Sequence, residues 1–212
     1  MKSQQSGFTL VEIAIVLVII GLLLGGILKG QELINSAKVK NLANDFRVVP
    51  TYIYAYQDKF RVLPGDDPSV ATHVTGGTAG TGGTLGNGVI EGAWNADETG
   101  TVESNIFWQH VRLANLAAGP TTPAAGFAPT NAVGGRLGVS SANTPFITGM
   151  TGSYQVCSSG ILGKFVKQLD IQMDDGNTAT GSMRAVQGTT SGAGVATASI
   201  NEAEAHTVCM TF

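Results

Sequence analysis

The sequence predicts an α+β protein: a long N-terminal helix followed by a head whose last third is strand-rich. Three observations carry this. Residues 8–28 form an apolar run with a single charge, Glu12. Beyond it, Leu42, Phe46, Val49, Ile53, Tyr56 and Phe60 recur at alternating steps of three and four, the period of a helix with one buried stripe. The C-terminal third holds alternating or β-rich segments such as "SYQVCSS" and "AHTVCMTF" separated by turn residues.

The apolar run comes first. At about 1.5 Å per residue it spans roughly 30 Å, the hydrocarbon thickness of a bilayer. A removable secretory signal would show a basic leader, a shorter apolar core and a small-x-small cleavage site. Here the leader's only base is Lys2, and the run continues through "GGILKGQELI" as helix. The segment therefore reads as a retained membrane helix. Lys29, Lys38, Lys40 and Arg47 follow the span and favour a cytoplasmic C-terminal side. The cysteine pair and the Gly/Thr-rich body favour the opposite orientation.

Inside this run Glu12 is costly, roughly 2.5–3.5 kcal/mol on insertion scales. It stands within "GFTLVE" (7–12), directly after a short polar leader. This stretch resembles the processing site of type IV prepilins and pseudopilins, a likeness dense over residues 4–35 and weak by letter afterwards. The resemblance implies cleavage by a prepilin peptidase between Gly7 and Phe8, followed by N-methylation of Phe8. It also implies a cationic amine at the membrane edge, for which Glu12 is the natural counter-charge. Within one helix the first and fifth mature residues are i and i+4 neighbours, so a self-pair is conceivable; the resemblance favours Glu12 meeting the amine of another subunit. The remaining option is an interfacial acid that snorkels to water.

The helix is expected to run from Phe8 to about Lys59, roughly 75–80 Å, greasy on all sides in its first half and amphipathic in its second. Gly21, Gly25 and Gly26 weaken it by about 1 kcal/mol each relative to Ala, for close helix packing or for local melting in a filament. Pro50 removes one helical hydrogen bond and predicts a kink. "RVLPGDDPSV" (61–70) ends the helix, since Pro64, Gly65 and Pro68 all oppose it. Residues 71–105 read as Gly/Thr-rich loop and 103–116 as a short helix with Phe107, Val111 and Ala114 on one face. His110 and Arg112 are expected in solvent. Residues 117–145 read as loop again. "GKFVKQLDIQM" fits a helix or a strand, and "DDGN" suits a hairpin turn. The resemblance adds an antiparallel β-sheet head packed on the second half of the helix. The division expected is leader 1–7, stem 8–60 with its span at 8–28, and head 61–212.

Composition narrows the function. The net charge of −3 and pI of 5.5 lack the basic face of a nucleic-acid binder. Glycine numbers 29 of 212 residues, well above the usual ~7%, and concentrates after residue 75. Cys157 and Cys209 are too few for a thiolate zinc site. In an exported head they form a disulfide, closing a loop of about 50 residues worth about 4 kcal/mol; in the cytosol they would be two unrelated buried thiols. Weak calcium candidates occur in acidic turns, at Asn87, Glu91, Asn95, Asp97 and Glu98 in "GNGVIEGAWNADE" and at Asp174, Asp175 and Asn177 in "DDGN", although neither follows an EF-hand pattern. Some pseudopilins hold calcium in a loop. His73, His110 and His206 lie far apart, and no nucleophile motif is present, so no cofactor and no enzymatic activity are expected.

The function expected is that of a structural subunit of a type IV pilus-like filament. Its partners are copies of itself, the prepilin peptidase/methyltransferase, the assembly machinery and the inner membrane before assembly. The precursor would sit in a bacterial inner membrane with its head outside the cytoplasm, and then in a surface filament. Two relatives of this reading are a pseudopilin of type II secretion and a minor tip pilin. From a different class stands a membrane-anchored binding protein that never polymerises.

Overall fold

The computed structural model describes residue 7 and residues 9–212. The chain divides between Ala37 and Lys38 into two compact units. The long helix α1 (Leu10–Phe60) contributes to both.

In the first unit, every described side chain from Thr9 to Lys29 is exposed. Among described residues, all exposed large apolar side chains except Tyr54 and Ile171 fall between Leu10 and Ile34. Nothing within the chain removes this surface from water. The stretch is long and apolar enough to cross a membrane.

In the second unit, α1 buries Val39, Leu42, Ala43, Phe46, Val49, Pro50, Ile53 and Tyr56, so the stripe read from the sequence is the core-facing stripe. The helix continues through Pro50 rather than ending there, and one turn around it Thr51 donates its hydroxyl to the Val48 carbonyl at 2.6 Å. After Phe60 the backbone turns at Arg61, whose φ of 63° is left-handed, as helix C-termini commonly do. Leu63-Pro64-Gly65 then prevents continuation.

The junction that follows is tied by buried polar groups. Tyr56 Oη donates to Asp67 Oδ2 at 2.7 Å, and His73 Nδ1 approaches the same oxygen at 2.7 Å. Short helix α2 (Val70–His73) sits here. Next comes the Gly/Thr-rich loop, and then α3 (Glu103–Leu113).

The strands are β1 (Leu137–Ser141), β2 (Ile147–Thr148), β3 (Tyr154–Leu162), β4 (Met183–Gln187), β5 (Gly192–Ala193) and β6 (Ala205–Thr211), with α4 (Gly163–Met173) between β3 and β4. The main sheet is antiparallel, in the order β1-β3-β6-β4. β2 and β5 form a small parallel pair. Alternation sorts the side chains onto two faces. Val139, Val156, Val208, Met183 and Ala185 join the large core with the α1 stripe and with Phe165, Val166 and Leu169 of α4. Cys157, Cys209 and Val186 form a second cluster with Trp94, Ile147 and Met150. Cys157 and Cys209 are directly opposed in the β3–β6 register and form a disulfide.

Three expectations change, and one open choice between helix and strand is resolved. Residues 117–145 are not all loop, because β1 occupies Leu137–Ser141. "GKFVKQLDIQM" is the helix α4; its apolar positions 165, 166 and 169 are spaced for one helical face. "DDGN" is no hairpin turn: it leaves α4, and β4 pairs instead with β6 from the end of the chain. His110 and Arg112 are buried, not solvated. His110 Nδ1 accepts the Gly65 N–H at 2.9 Å, so its Nε2 carries the proton and donates to the Thr78 carbonyl at 2.8 Å. Arg112 donates to the carbonyls of Pro120 and Phe127 at 2.9 and 2.8 Å.

Two stability predictions follow from this packing. Phe46→Ala leaves a cavity at a fully buried position and should cost about 3–5 kcal/mol in denaturant unfolding. Replacing Cys157 and Cys209 together by Ser should cost about 4 kcal/mol and lower the Tm by roughly 10 °C in a thermal melt under non-reducing conditions.

Candidate functional site

The start of α1 is built by a reciprocal cap. Thr9 N–H donates to Glu12 Oε2 at 2.8 Å, and its hydroxyl donates to the same oxygen at 2.7 Å. The Glu12 N–H returns a bond to Thr9 Oγ1 at 3.3 Å. This is a capping box, Thr at the N-cap and Glu at the third helical position, which satisfies two N–H groups that a helix start otherwise leaves open. Glu12 therefore has an intrachain partner that the charge-pairing argument did not include, although T-x-x-E at 9–12 carried the signal. The carboxylate is also exposed and keeps Oε1 free of protein bonds in the described contacts.

Gly7 is exposed, and a Cβ added there would meet nothing within 4 Å. The same holds for Gly21, Gly25 and Gly26. No steric demand among the described residues requires glycine at these positions. Phe8, the residue expected to carry the methyl group, lies outside the described residues, as do residues 1–6 of the leader.

The acidic candidates sort differently from their sequence neighbourhoods. Asp97 accepts the Thr99 N–H and hydroxyl, both at 2.9 Å. Glu98 accepts the N–H groups of Gly126 and Phe127 at 2.6 and 3.0 Å and faces Arg136 at 3.6 Å. These two residues close loops and join no carboxylate cluster among the described residues. Asp174 and Asp175 do meet a third acid, Asp170, with one oxygen of each within 4.8 Å of the others. Asp170 is buried with both oxygens unpartnered; burial, then Asp175 and Asp174, push its carboxyl up to about 6. A second cluster, of Asp66, Glu91 and Glu103, arises from three separated segments; Glu91 stood among the sequence candidates, while Asp66 and Glu103 had no spacing signal.

Residues 2–28 match the family model for the prokaryotic N-terminal methylation motif. That motif supports a resemblance of the N-terminal segment to type IV pilin-like precursors. No curated protein and no solved structure matches it. The motif covers the leader, the capping box and the exposed apolar part of α1, and the family it marks is structural. The apolar helix and the motif are together consistent with a membrane-anchored precursor, and the motif implies processing by prepilin peptidase.

The second unit also has a cavity of about 190 Å³, lined in part by Asp45, Tyr52, Trp108 and Arg112. Asp45 Oδ2 and Arg112 Nε both lie buried without a hydrogen-bond partner. Burial pushes the Asp45 carboxyl up to about 6 from 3.8. The folded form thus holds this proton more tightly than the unfolded chain, so the contribution of Asp45 to stability is full below about pH 4 and is lost as pH rises to about 6. Asp45→Asn removes the titration. Its Tm should equal that of the parent near pH ~4 and exceed it near pH ~7.5 in paired thermal melts.

Proposed function

We propose that the chain is a structural subunit of a type IV pilus-like filament. The carrying observation is the methylation motif at residues 2–28, which runs into an apolar helix that is exposed along its whole first half. Hydrolysis of the Gly7–Phe8 peptide bond removes the leader and creates a new amine on Phe8, which is then methylated. The accessible Gly7, with no steric role of its own, suits recognition by a peptidase. Removal of the leader leaves the Phe8 amine as the only charge besides Glu12 in the apolar segment.

In the filament, the exposed apolar face of each α1 packs on copies of itself, which replaces lipid by protein and needs no contribution from the head. Glu12 pairs with the Phe8 amine of a neighbouring subunit. Two charges that leave the bilayer edge as a pair escape the penalty that either would carry alone. The disulfide-stapled head forms the outer surface. The role is structural, with no reaction catalysed.

The capping box makes the two duties of Glu12 separable. Glu12→Gln keeps a capping residue at the third helical position but removes the charge, whereas Thr9→Ala removes the cap and keeps the charge. Sheared surface filaments should fall at least about tenfold in Glu12→Gln and stay near parental yield in Thr9→Ala, with unchanged membrane levels in both. Equal filament yields for Glu12→Gln and the parent would remove the pairing role. Mass spectrometry of the filaments should find an N-terminal peptide that begins with methylated Phe8; an intact Met1 terminus would overturn the processing step.

A further inference from the structure

The strongest unexplained group in the head lies where α1 hands over to the sheet domain. Asp66 comes from the turn after α1, Glu91 from the Gly/Thr-rich loop and Glu103 from the first residue of α3. One carboxylate oxygen from each lies within 4.8 Å of the others. Asp66 is 1% exposed and Glu103 is 0% exposed; Glu91 is half-buried.

Part of this cluster is satisfied by the backbone. Asp66 Oδ1 accepts the N–H of Gly86, and that of Asn87 at 3.3 Å. Its Oδ2 accepts the Gly88 N–H at 2.7 Å. Glu103 Oε2 accepts the Glu91 N–H at 2.9 Å, and Glu91 Oε1 accepts from the Asn87 amide at 2.7 Å. Two oxygens remain: Glu103 Oε1 and Glu91 Oε2 are sealed from solvent and have no hydrogen-bond partner. Among the described residues no Lys, Arg or His forms a salt bridge with any of the three acids.

We propose that Asp66, Glu91 and Glu103 form a binding site for one divalent cation of the calcium class. A buried, unpartnered carboxylate oxygen is expensive, and here two converge on a third carboxylate. Oxygen ligands at about 2.4 Å from a shared calcium ion lie no more than roughly 4.8 Å apart, the separation the cluster keeps. The donors are all hard oxygens, which select Ca²⁺ or Mg²⁺ over softer metals. Calcium suits the site better, because it tolerates irregular ligand sets contributed by separate loops, whereas magnesium demands a near-ideal octahedron. A proton bridges only the Glu91–Glu103 pair, whereas a divalent ion contacts all three carboxylates.

The chain around the acids is shaped for close approach. A Cβ at Gly83 would run into the Glu91 carboxylate, and one at Gly65, whose φ is +95°, would stand 2.6 Å from the Glu103 carbonyl oxygen. Bound there, the ion ties the exit of α1, the Gly/Thr-rich loop and the start of α3 into one unit. The ion would add to the contacts that already hold the loop, among them the Thr81–Val102 bridge, the Ser104 N–H to Glu91 carbonyl bond and the buried Ile90. The site is independent of which filament the chain enters.

The test uses the full-length chain in detergent micelles under non-reducing conditions, with CaCl₂ or MgCl₂ as titrant and EDTA as the metal-free reference. Calorimetric titration should find about one Ca²⁺ per chain at this site, and saturating Ca²⁺ should raise the Tm by on the order of 5–10 °C, with Mg²⁺ weaker. Glu103→Gln and Glu91→Gln should abolish that rise, while their Tm in EDTA matches or exceeds the parent because one like charge is gone. The proposal is overturned if Ca²⁺ leaves the parental Tm unchanged. It is equally overturned if the rise survives both variants, which would place the ion elsewhere, as at Asp170, Asp174 and Asp175. Stabilisation by acid but not by Ca²⁺ would assign the cluster to a shared proton instead.

Discussion

The constraint on which this molecule depends is apolar surface that its own chain cannot cover. Between Leu10 and Ile34 the large apolar side chains stand exposed. At about 25 cal/mol per Å², a helix of this kind is unstable in water and must lie in lipid or against other helices. Every polar feature near its start then has to be reconciled with a low dielectric. The capping box does so for the helix terminus: Thr9 and Glu12 satisfy each other's open N–H groups and leave one carboxylate oxygen for a further partner. A carboxylate that both caps its helix and carries an uncompensated charge is suited to exchange its surroundings when a cation arrives.

The second unit solves a different problem, which is to build a stable head from a glycine-rich chain. One amphipathic stretch of α1, from Val39 to Tyr56, supplies the apolar stripe. A four-stranded antiparallel sheet and α4 close over it. The other face of the sheet has a smaller cluster around Cys157–Cys209, covered by Trp94 and Ile147. Where apolar side chains run out, polar groups take over the packing. Asp67, His110 and Arg112 are buried, and each is bonded to the segments it joins. The Asp66–Glu91–Glu103 cluster brings two buried, unpartnered carboxylate oxygens together from separate segments.

This division explains which features were legible in the letters. The apolar run, the 42–60 stripe and the Pro64–Gly65 stop are local patterns with a fixed period, and the structure carries each one. His110 and Arg112 were misplaced because local polarity says nothing about loops that arrive from elsewhere: Gly65, Thr78, Pro120 and Phe127 supply their partners. "DDGN" misled for a related reason. A turn-forming tetrapeptide joins adjacent strands only if both flanks are strands, and here one flank is a helix.

By itself, the sequence determined the membrane-length helix, the methylation motif, the amphipathic stripe and the α+β class, because each depends on spacing between near neighbours in a chain of known geometry. Tertiary structure alone decided that Cys157 faces Cys209 across β3 and β6, that β4 joins β6, and that Asp66, Glu91 and Glu103 share one small volume. Those outcomes depend on how distant segments share a core, and the side-chain period of a single strand or helix contains no record of its partner.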